Sequence, residues 1–223
     1  MTISENLKKF NKELPDNVTL VAVSKTKPTS DLMEAYNAGQ RVFGENKIQE
    51  MEAKWQEMPK DIEWHMIGHV QRNKVKYMAP FVSLIHAVDS LKLLKEINKE
   101  AEKNERTINC LLQIKIAEED SKFGMEEADA VKIFSSEEFK RLQNVKIVGL
   151  MGMATFTDDE KQISEEFQKL KKIYDQFRIQ SRNFGTELRI LSMGMSGDYK
   201  VAIENGSNMV RVGSAIFGER NYN

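Results

Sequence analysis

Along the chain, short β-branched or apolar runs alternate with longer stretches in which apolar residues recur every three or four positions. A period of two marks strands and a period of 3.6 marks helices, so the pattern predicts βα units around a parallel sheet. Eight strands are predicted, at 19–25, 41–44, 62–67, 82–87, 108–116, 145–151, 188–192 and 208–212. Between them, Ile48, Met51, Trp55 and Met58 share one helical face, and Leu91, Leu94, Ile97 and Ala101 another. The clearest helix carries Ile163, Phe167, Leu170, Ile173, Tyr174 and Phe177, and Thr157-Asp158-Asp159-Glu160 ahead of it has capping-box spacing. A further amphipathic helix around Ile3, Leu7 and Phe10 precedes the first strand and is expected to plug one end of the assembly.

Eight such repeats with no Ser/Gly/Pro-rich linker predict one domain over residues 1–223, an α/β fold of the (β/α)8 TIM-barrel type with an extra N-terminal helix. The rival, an open doubly wound sheet, calls for a Gly-x-Gly-x-x-Gly turn that does not occur near the amino terminus. A hydrophobic fraction of 40% in 223 residues is enough for a sizeable core. With 33 basic and 34 acidic residues the formal net charge is −1, which disfavours nucleic acid or an anionic membrane as the main partner. No apolar run approaches the roughly 18 residues of a membrane span. One cysteine, Cys110, and a polar opening segment without a signal-peptide core predict a cytoplasmic location.

In a barrel the chemistry collects at the carboxyl ends of the strands. There the chain places Lys25, Glu45-Asn46, His65 and His69, His86 and Asp89, Asp120-Ser121-Lys122, Gly152-Met153, Gly194-Met195-Ser196-Gly197 and Arg211-Val212-Gly213-Ser214. Lys25 shares its strand face with Val21 and Val23, so its ammonium is expected at the barrel mouth, partly desolvated. Desolvation lowers a lysine pKa and frees the amine to attack an aldehyde. The bland alternative is a strand-end lysine reaching into water. Lys27 has the same parity but precedes Pro28, which takes it out of the barrel. Ser196-Gly197 and Gly213-Ser214 lie where barrels commonly hold phosphate, although ordinary turn residues would look the same. Arg211 within the last strand is expected to face inward toward a ligand, because outward it would lie under helices. His65 and His69 fall on a strand end, not a helix, so no metal is expected. Met151, Met153, Met193 and Met195 cluster near strand ends six and seven and would wall an aromatic ligand.

Five motifs now stand in order: Val23-Ser24-Lys25-Thr26-Lys27-Pro28, Phe43-Gly44-Glu45-Asn46, Glu63-Trp64-His65-x-Ile67-Gly68, Ser192-Met193-Gly194-Met195-Ser196-x-Asp198 and Met209-Val210-Arg211-Val212-Gly213-Ser214-x-Ile216-Phe217-Gly218. Together they closely resemble the pyridoxal phosphate homeostasis proteins, a family similar in fold to the amino-terminal barrel of alanine racemase. The resemblance implies pyridoxal 5′-phosphate (PLP) held as a Schiff base on Lys25. It further implies that Ser196 offers its hydroxyl to the phosphate and Gly213 and Ser214 their backbone N–H groups. Arg211 would face the pyridine nitrogen and Asn46 would lie beside the ring. The family often has Thr where this chain has Ser214, a change that leaves a backbone contact intact.

The resemblance implies a noncatalytic protein that stores PLP reversibly, limits the free aldehyde and delivers it to PLP-dependent apoenzymes. A racemase needs two acid/base groups on opposite faces of the cofactor, and in alanine racemase the opposing tyrosine comes from a second domain. The sequence ends at Asn223 directly after the eighth unit, so that domain is not expected. Tyr36, Tyr77, Tyr174, Tyr199 and Tyr222 fall mostly on predicted helices or the tail. The alternative, a PLP-dependent enzyme with weak amino-acid racemase or lyase activity, would draw its acid/base group from Lys122 or His65. A third reading needs no family: an aldolase forming a Schiff base with a phosphorylated sugar, which would lack a coloured cofactor. A monomer is the simpler expectation, with exposed Trp55 or Phe217 as the features that would overturn it.

Overall fold

Inward and outward positions alternate along every strand, and a parallel sheet that must bury both faces can do so by closing on itself. The computed structural model, which describes residues 2–118, 123–180 and 186–218, does this. Strands β1 (Thr19–Val23), β2 (Val42–Glu45), β3 (Glu63–Met66), β4 (Leu84–Val88), β5 (Ile108–Gln113), β6 (Val145–Met151), β7 (Ile190–Met195) and β8 (Met209–Val212) run parallel in sequence order. β8 pairs back onto β1 with Arg211 opposite Val21, closing the barrel. The helices are α1 (Ile3–Glu13), α2 (Thr29–Asn37), α3 (Ile48–Glu57), α4 (Val75–Met78), α5 (Leu91–Lys103), α6 (Glu127–Ser135), α7 (Glu137–Lys140), α8 (Glu160–Gln180), α9 (Tyr199–Glu204) and α10 (Ser214–Phe217). The fold is the expected TIM-type (β/α)8 barrel with an additional N-terminal helix.

Two apolar layers result. Val21, Leu84, Leu111, Val148, Met151 and Met209 form one cluster, contributed by five strands that face one another across the barrel. A larger layer between sheet and helices holds Phe43, Trp64, Leu94, Phe134, Phe167 and Leu170, each buried completely or nearly so. The predicted helical faces supply it: Ile48 and Met51 from α3, Leu94, Ile97 and Ala101 from α5, and the whole Ile163 to Phe177 set from α8.

Three local expectations change. α1 has a true capping box, in which Thr2 and Glu5 exchange side-chain to backbone bonds of 3.2 and 2.8 Å, and it buries Leu7 and Phe10. It packs against α2 and α10, with Asn6 donating to the Ile216 carbonyl, and so lies in the helical layer instead of plugging a barrel end. α8 is capped by Asp159, whose Oδ1 accepts from the N–H groups of Lys161 (3.0 Å) and Gln162 (3.3 Å). Thr157 instead accepts from Asp159, because the carboxylate immediately before the first helical residue reaches the open N–H groups first. β7 runs three residues further than 188–192 and starts two later; Gly194 at φ 96° absorbs a register shift between Ser192 and Met195, a bulge that reads as a loop in sequence.

Candidate functional site

At the carboxyl ends of the strands lies a cleft of about 580 Å3, within the range of small-molecule sites. Lys25, Asn46, Ser196, Arg211, Gly213 and Ser214 all line it. Its apolar side is made by Val23, Ile67, Met153, Met195 and Phe123. Of the four clustered methionines, then, Met153 and Met195 form wall, whereas Met151 and Met193 are buried in the two apolar layers.

β1 ends at Val23, two residues short of the predicted 19–25, so Lys25 stands on the turn that follows it, half-buried, and lines the cleft beside Val23. Ser24 N donates to the Gly44 carbonyl (3.0 Å), extending the β1–β2 pairing by one step before the chain turns. Thr26 then takes φ 64°, a left-handed conformation that is costly for a β-branched residue and must be held in place. The hold comes from α3 and β2. Thr26 N donates to Glu50 Oε1 (2.6 Å), and Ser24 Oγ donates to Glu45 Oε1 (2.6 Å). Lys54 Nζ joins the pieces, reaching Glu45 Oε1 and Glu50 Oε1 at 2.7 Å each and the Ser24 carbonyl at 2.8 Å. Lys25 is therefore flanked on both sides by residues tied to one buried ion-pair network. Burial pushes the Glu45 carboxyl above its ordinary range, against the pull of Lys54. Lys27 points elsewhere, with Nζ on the Phe217 carbonyl at 2.9 Å, and does not line the cleft.

Asn46 follows β2 directly. Opposite it, Gly68 permits a backbone approach no other residue would allow, since a Cβ there would lie 2.4 Å from the Asn46 carbonyl oxygen.

Arg211 faces inward and is only 4% exposed, yet it lines the cleft. Its Nη1 donates to Ser192 Oγ (2.6 Å) and its Nη2 to the Gly152 carbonyl (3.0 Å). Among the described residues no other acceptor reaches the guanidinium, so a buried cation with five donors holds bonds to two neutral acceptors. Burial lowers its pKa to about 10, with Asp198 acting in the opposite sense, and it stays charged at neutral pH. Across the end of β7, Gly213 N donates to Ser196 Oγ at 3.2 Å. This bond joins the two loops at the cleft and leaves the Ser196 hydroxyl proton for another acceptor. Ser214 opens the first turn of α10, where N–H groups have no intrahelical carbonyl. A Cβ at Gly197 would meet nothing within 4 Å, so there is room beside these donors.

Two candidate acid/base groups fare differently. His65 is 4% exposed and does not line the cleft; burial lowers its pKa to about 3, and its Nδ1 lies 3.1 Å from His86 Nε2. It is therefore no acid or base for a ligand in the cleft. Lys122, like Asp120, Ser121 and Tyr222, lies outside the described residues. None of Tyr36, Tyr77, Tyr174 and Tyr199 lines the cleft. His69, named among the strand-end groups but given no role there, is a cleft residue whose Nδ1 is 3.4 Å from Asp89 and whose ring stacks on Phe123 at 4.9 Å. The residue the sequence did not point to is Gln113, a buried cleft residue held by a bond to the Phe123 carbonyl. No local signal marks Gln113. His69 and Asp89 were both visible at strand ends, but only the closed sheet brings them together.

The family model for the N-terminal domain of alanine racemase matches residues 1–221. The pyridoxal phosphate homeostasis protein of Aquifex aeolicus is 39% identical over 204 residues, covering 91% of this chain and 87% of that protein. Its counterpart in Helicobacter pylori is 41% identical over 206 residues, covering 91% and 88%. The chain belongs to the pyridoxal phosphate homeostasis protein family. The resemblance carried by the five motifs thus extends over nearly the whole sequence. In three dimensions, PipY of Synechococcus elongatus, solved with PLP bound, matches with a TM-score of 0.88 at 34% identity, covering 97% of this chain and 100% of that one. All five of the motifs that suggested the homeostasis family contribute residues to the cleft.

Proposed function

We propose that this protein binds PLP reversibly through Lys25, limits the free aldehyde in the cytoplasm and releases the cofactor to PLP-dependent apoenzymes, with no turnover of its own. The observation that carries this reading is the meeting, in one cleft, of a half-buried lysine and a buried, under-neutralised arginine with a small polar loop pair at Ser196 and Ser214. These groups suit PLP in kind. PLP supplies an aldehyde that condenses reversibly with a primary amine. Lys25 would provide that amine, Ser196 its hydroxyl and Gly213 and Ser214 their N–H groups to the phosphate, and Asn46 a polar edge beside the ring. Arg211 can only donate, so it would keep the pyridine nitrogen unprotonated and weaken the ring as an electron sink. That electronic setting favours holding over carbanion chemistry. The family names and the PLP-bound PipY structure support the same ligand.

Partial exposure of Lys25 supports exchange with solvent or with an incoming amine. A monomer fits the surfaces that would otherwise suggest a partner: Trp55 stacks on Phe81 at 4.4 Å, and Phe217 is buried. The test is to incubate the protein with PLP, reduce with borohydride and map the pyridoxyl group by mass spectrometry. It should sit on Lys25 and vanish in Lys25→Ala; protein that takes up no cofactor would end this reading.

A second reading, PLP-dependent amino-acid turnover, gains some support from His69, a histidine in the cleft paired to a carboxylate. Racemisation or elimination by the purified protein, lost in both Lys25→Ala and His69→Gln, would replace the carrier reading with this one.

A further inference from the structure

One hydrogen-bonded chain crosses the barrel beneath the cleft. From β8, Arg211 Nη1 donates to Ser192 Oγ of β7 (2.6 Å); Ser192 Oγ lies 3.1 Å from His86 Nδ1 of β4; His86 Nε2 lies 3.1 Å from His65 Nδ1 of β3. The four residues are 0 to 4% exposed, and no carboxylate bonds to any of them among the described residues. Both imidazoles are therefore neutral at physiological pH. Burial lowers each, and for His86 the neighbouring His65 and Arg211 add to the effect.

Two neutral imidazoles in series can hand their hydrogen bonds along in either direction. The guanidinium selects one. With Ser192 donating to His86 Nδ1 and His86 Nε2–H donating to His65 Nδ1, every dipole in the chain turns its negative end toward the cation. In the reverse direction the His86 Nδ1–H would point its positive end at Arg211. The selected direction also polarises the Ser192 oxygen toward Arg211, because a hydroxyl that donates accepts more strongly.

We propose that Ser192, His86 and His65 are positioning residues for Arg211, a neutral relay that fixes the guanidinium in the cleft floor and aims its remaining donors at the ring nitrogen of bound PLP. This rests on the reading that PLP is the ligand and extends it to three residues outside the cleft lining. An arginine without such a brace could turn its donors onto other carbonyls. Its contact with the ring would then vary, and with it the electronic character of the cofactor.

The first arm of the test needs no cofactor. Ring nitrogen NMR of the histidine-labelled protein should show His65 and His86 neutral at pH 7, both with the proton on Nε2, and Arg211→Gln should disturb that tautomer preference at His86. The second arm measures PLP affinity and the visible band of bound PLP. Ser192→Ala and His86→Leu should each raise Kd about tenfold and shift the band. His65→Asn, which keeps a bonding partner, should stay nearer wild type than His65→Leu. In an Arg211→Gln background, His86→Leu should change Kd by less than about twofold, the mark of action through Arg211. Nδ1–H tautomers, an unshifted band in Ser192→Ala, or additive losses in the Arg211→Gln background would each overturn the relay. If wild-type protein takes up no PLP, the cofactor reading fails instead, while the NMR arm still decides whether the relay exists.

Discussion

Lys54 Nζ and Glu45 Oε1 lie 2.7 Å apart with side chains 7% and 0% exposed, an ion pair sealed between α3 and the end of β2. The same ammonium holds the Ser24 carbonyl, one residue before Lys25, and Glu50, which in turn holds Thr26 N. A buried pair of this kind is poor evidence of extra stability, because desolvation consumes most of the attraction, but losing one partner strands the other.

Lys54→Met should therefore cost about 3–5 kcal/mol at neutral pH. The loss has a definite pH sense. Glu45 already titrates above its ordinary value in the folded protein, and without Lys54 it is pushed further up. A carboxyl raised in the folded state contributes stability below its unfolded pKa that is lost as pH rises through the folded one. Urea midpoints should thus show the variant's deficit smaller at pH 5 than at pH 8. A deficit that grows on acidification would contradict the ion-pair account.

The histidine pair makes the opposite prediction for the wild-type protein. His65 is lowered to about 3 and His86 well below its usual value, so the unfolded chain binds protons there that the folded chain refuses. Stability from these groups is complete above the unfolded pKa near 6.5 and is lost as pH falls below it, for His65 at about 1.4 kcal/mol per pH unit down to about 3. His65→Asn should flatten the slope of unfolding free energy between pH 6 and 5 by roughly that amount. An unchanged slope would mean that His65 is not kept neutral by the fold.

Much of this architecture was legible beforehand because it rests on periodicity. Lys25, Arg211 and the two small loops follow from counting along strands, since inward positions recur every second residue and the mouth of a barrel is where strands end. Lys54 was not legible. In sequence it is one more lysine on an amphipathic helix, four residues after Glu50, and only the closing of β2 against α3 buries it. Nor could the bond between His86 and Ser192 be read, because it joins strands on facing walls whose alignment depends on register shifts in β4 and β7. Boundaries failed at Gly194, where a bulge prolongs β7, and also at β1 and β5, where the predicted run continues past the last strand residue, to Lys25 and Ile116.

Glu166 offers a third test, remote from charge pairs. Buried on α8, its carboxylate accepts from Thr155 N (2.6 Å), Thr155 Oγ1 (2.6 Å) and Glu118 N (3.3 Å), so one side chain fastens the loops after β5 and β6 along the cleft. Glu166→Gln would turn an amide N–H toward those donors and cost about 1–3 kcal/mol locally. Hydrogen exchange at Thr155 should accelerate by about tenfold or more, with little change in β1 or β8. Equal acceleration across the barrel would indicate global loosening instead.

The pairing of β1 with β8 places Lys25 and Arg211 in one cleft although they come from opposite ends of the chain. On the ribosome, an emerging polypeptide would thus carry Lys25 long before the strand that completes the pocket leaves the exit tunnel. The cleft consequently does not exist until β8 has emerged and closed onto β1, and a chain truncated before β8 would lack Arg211, Gly213 and Ser214 from its lining.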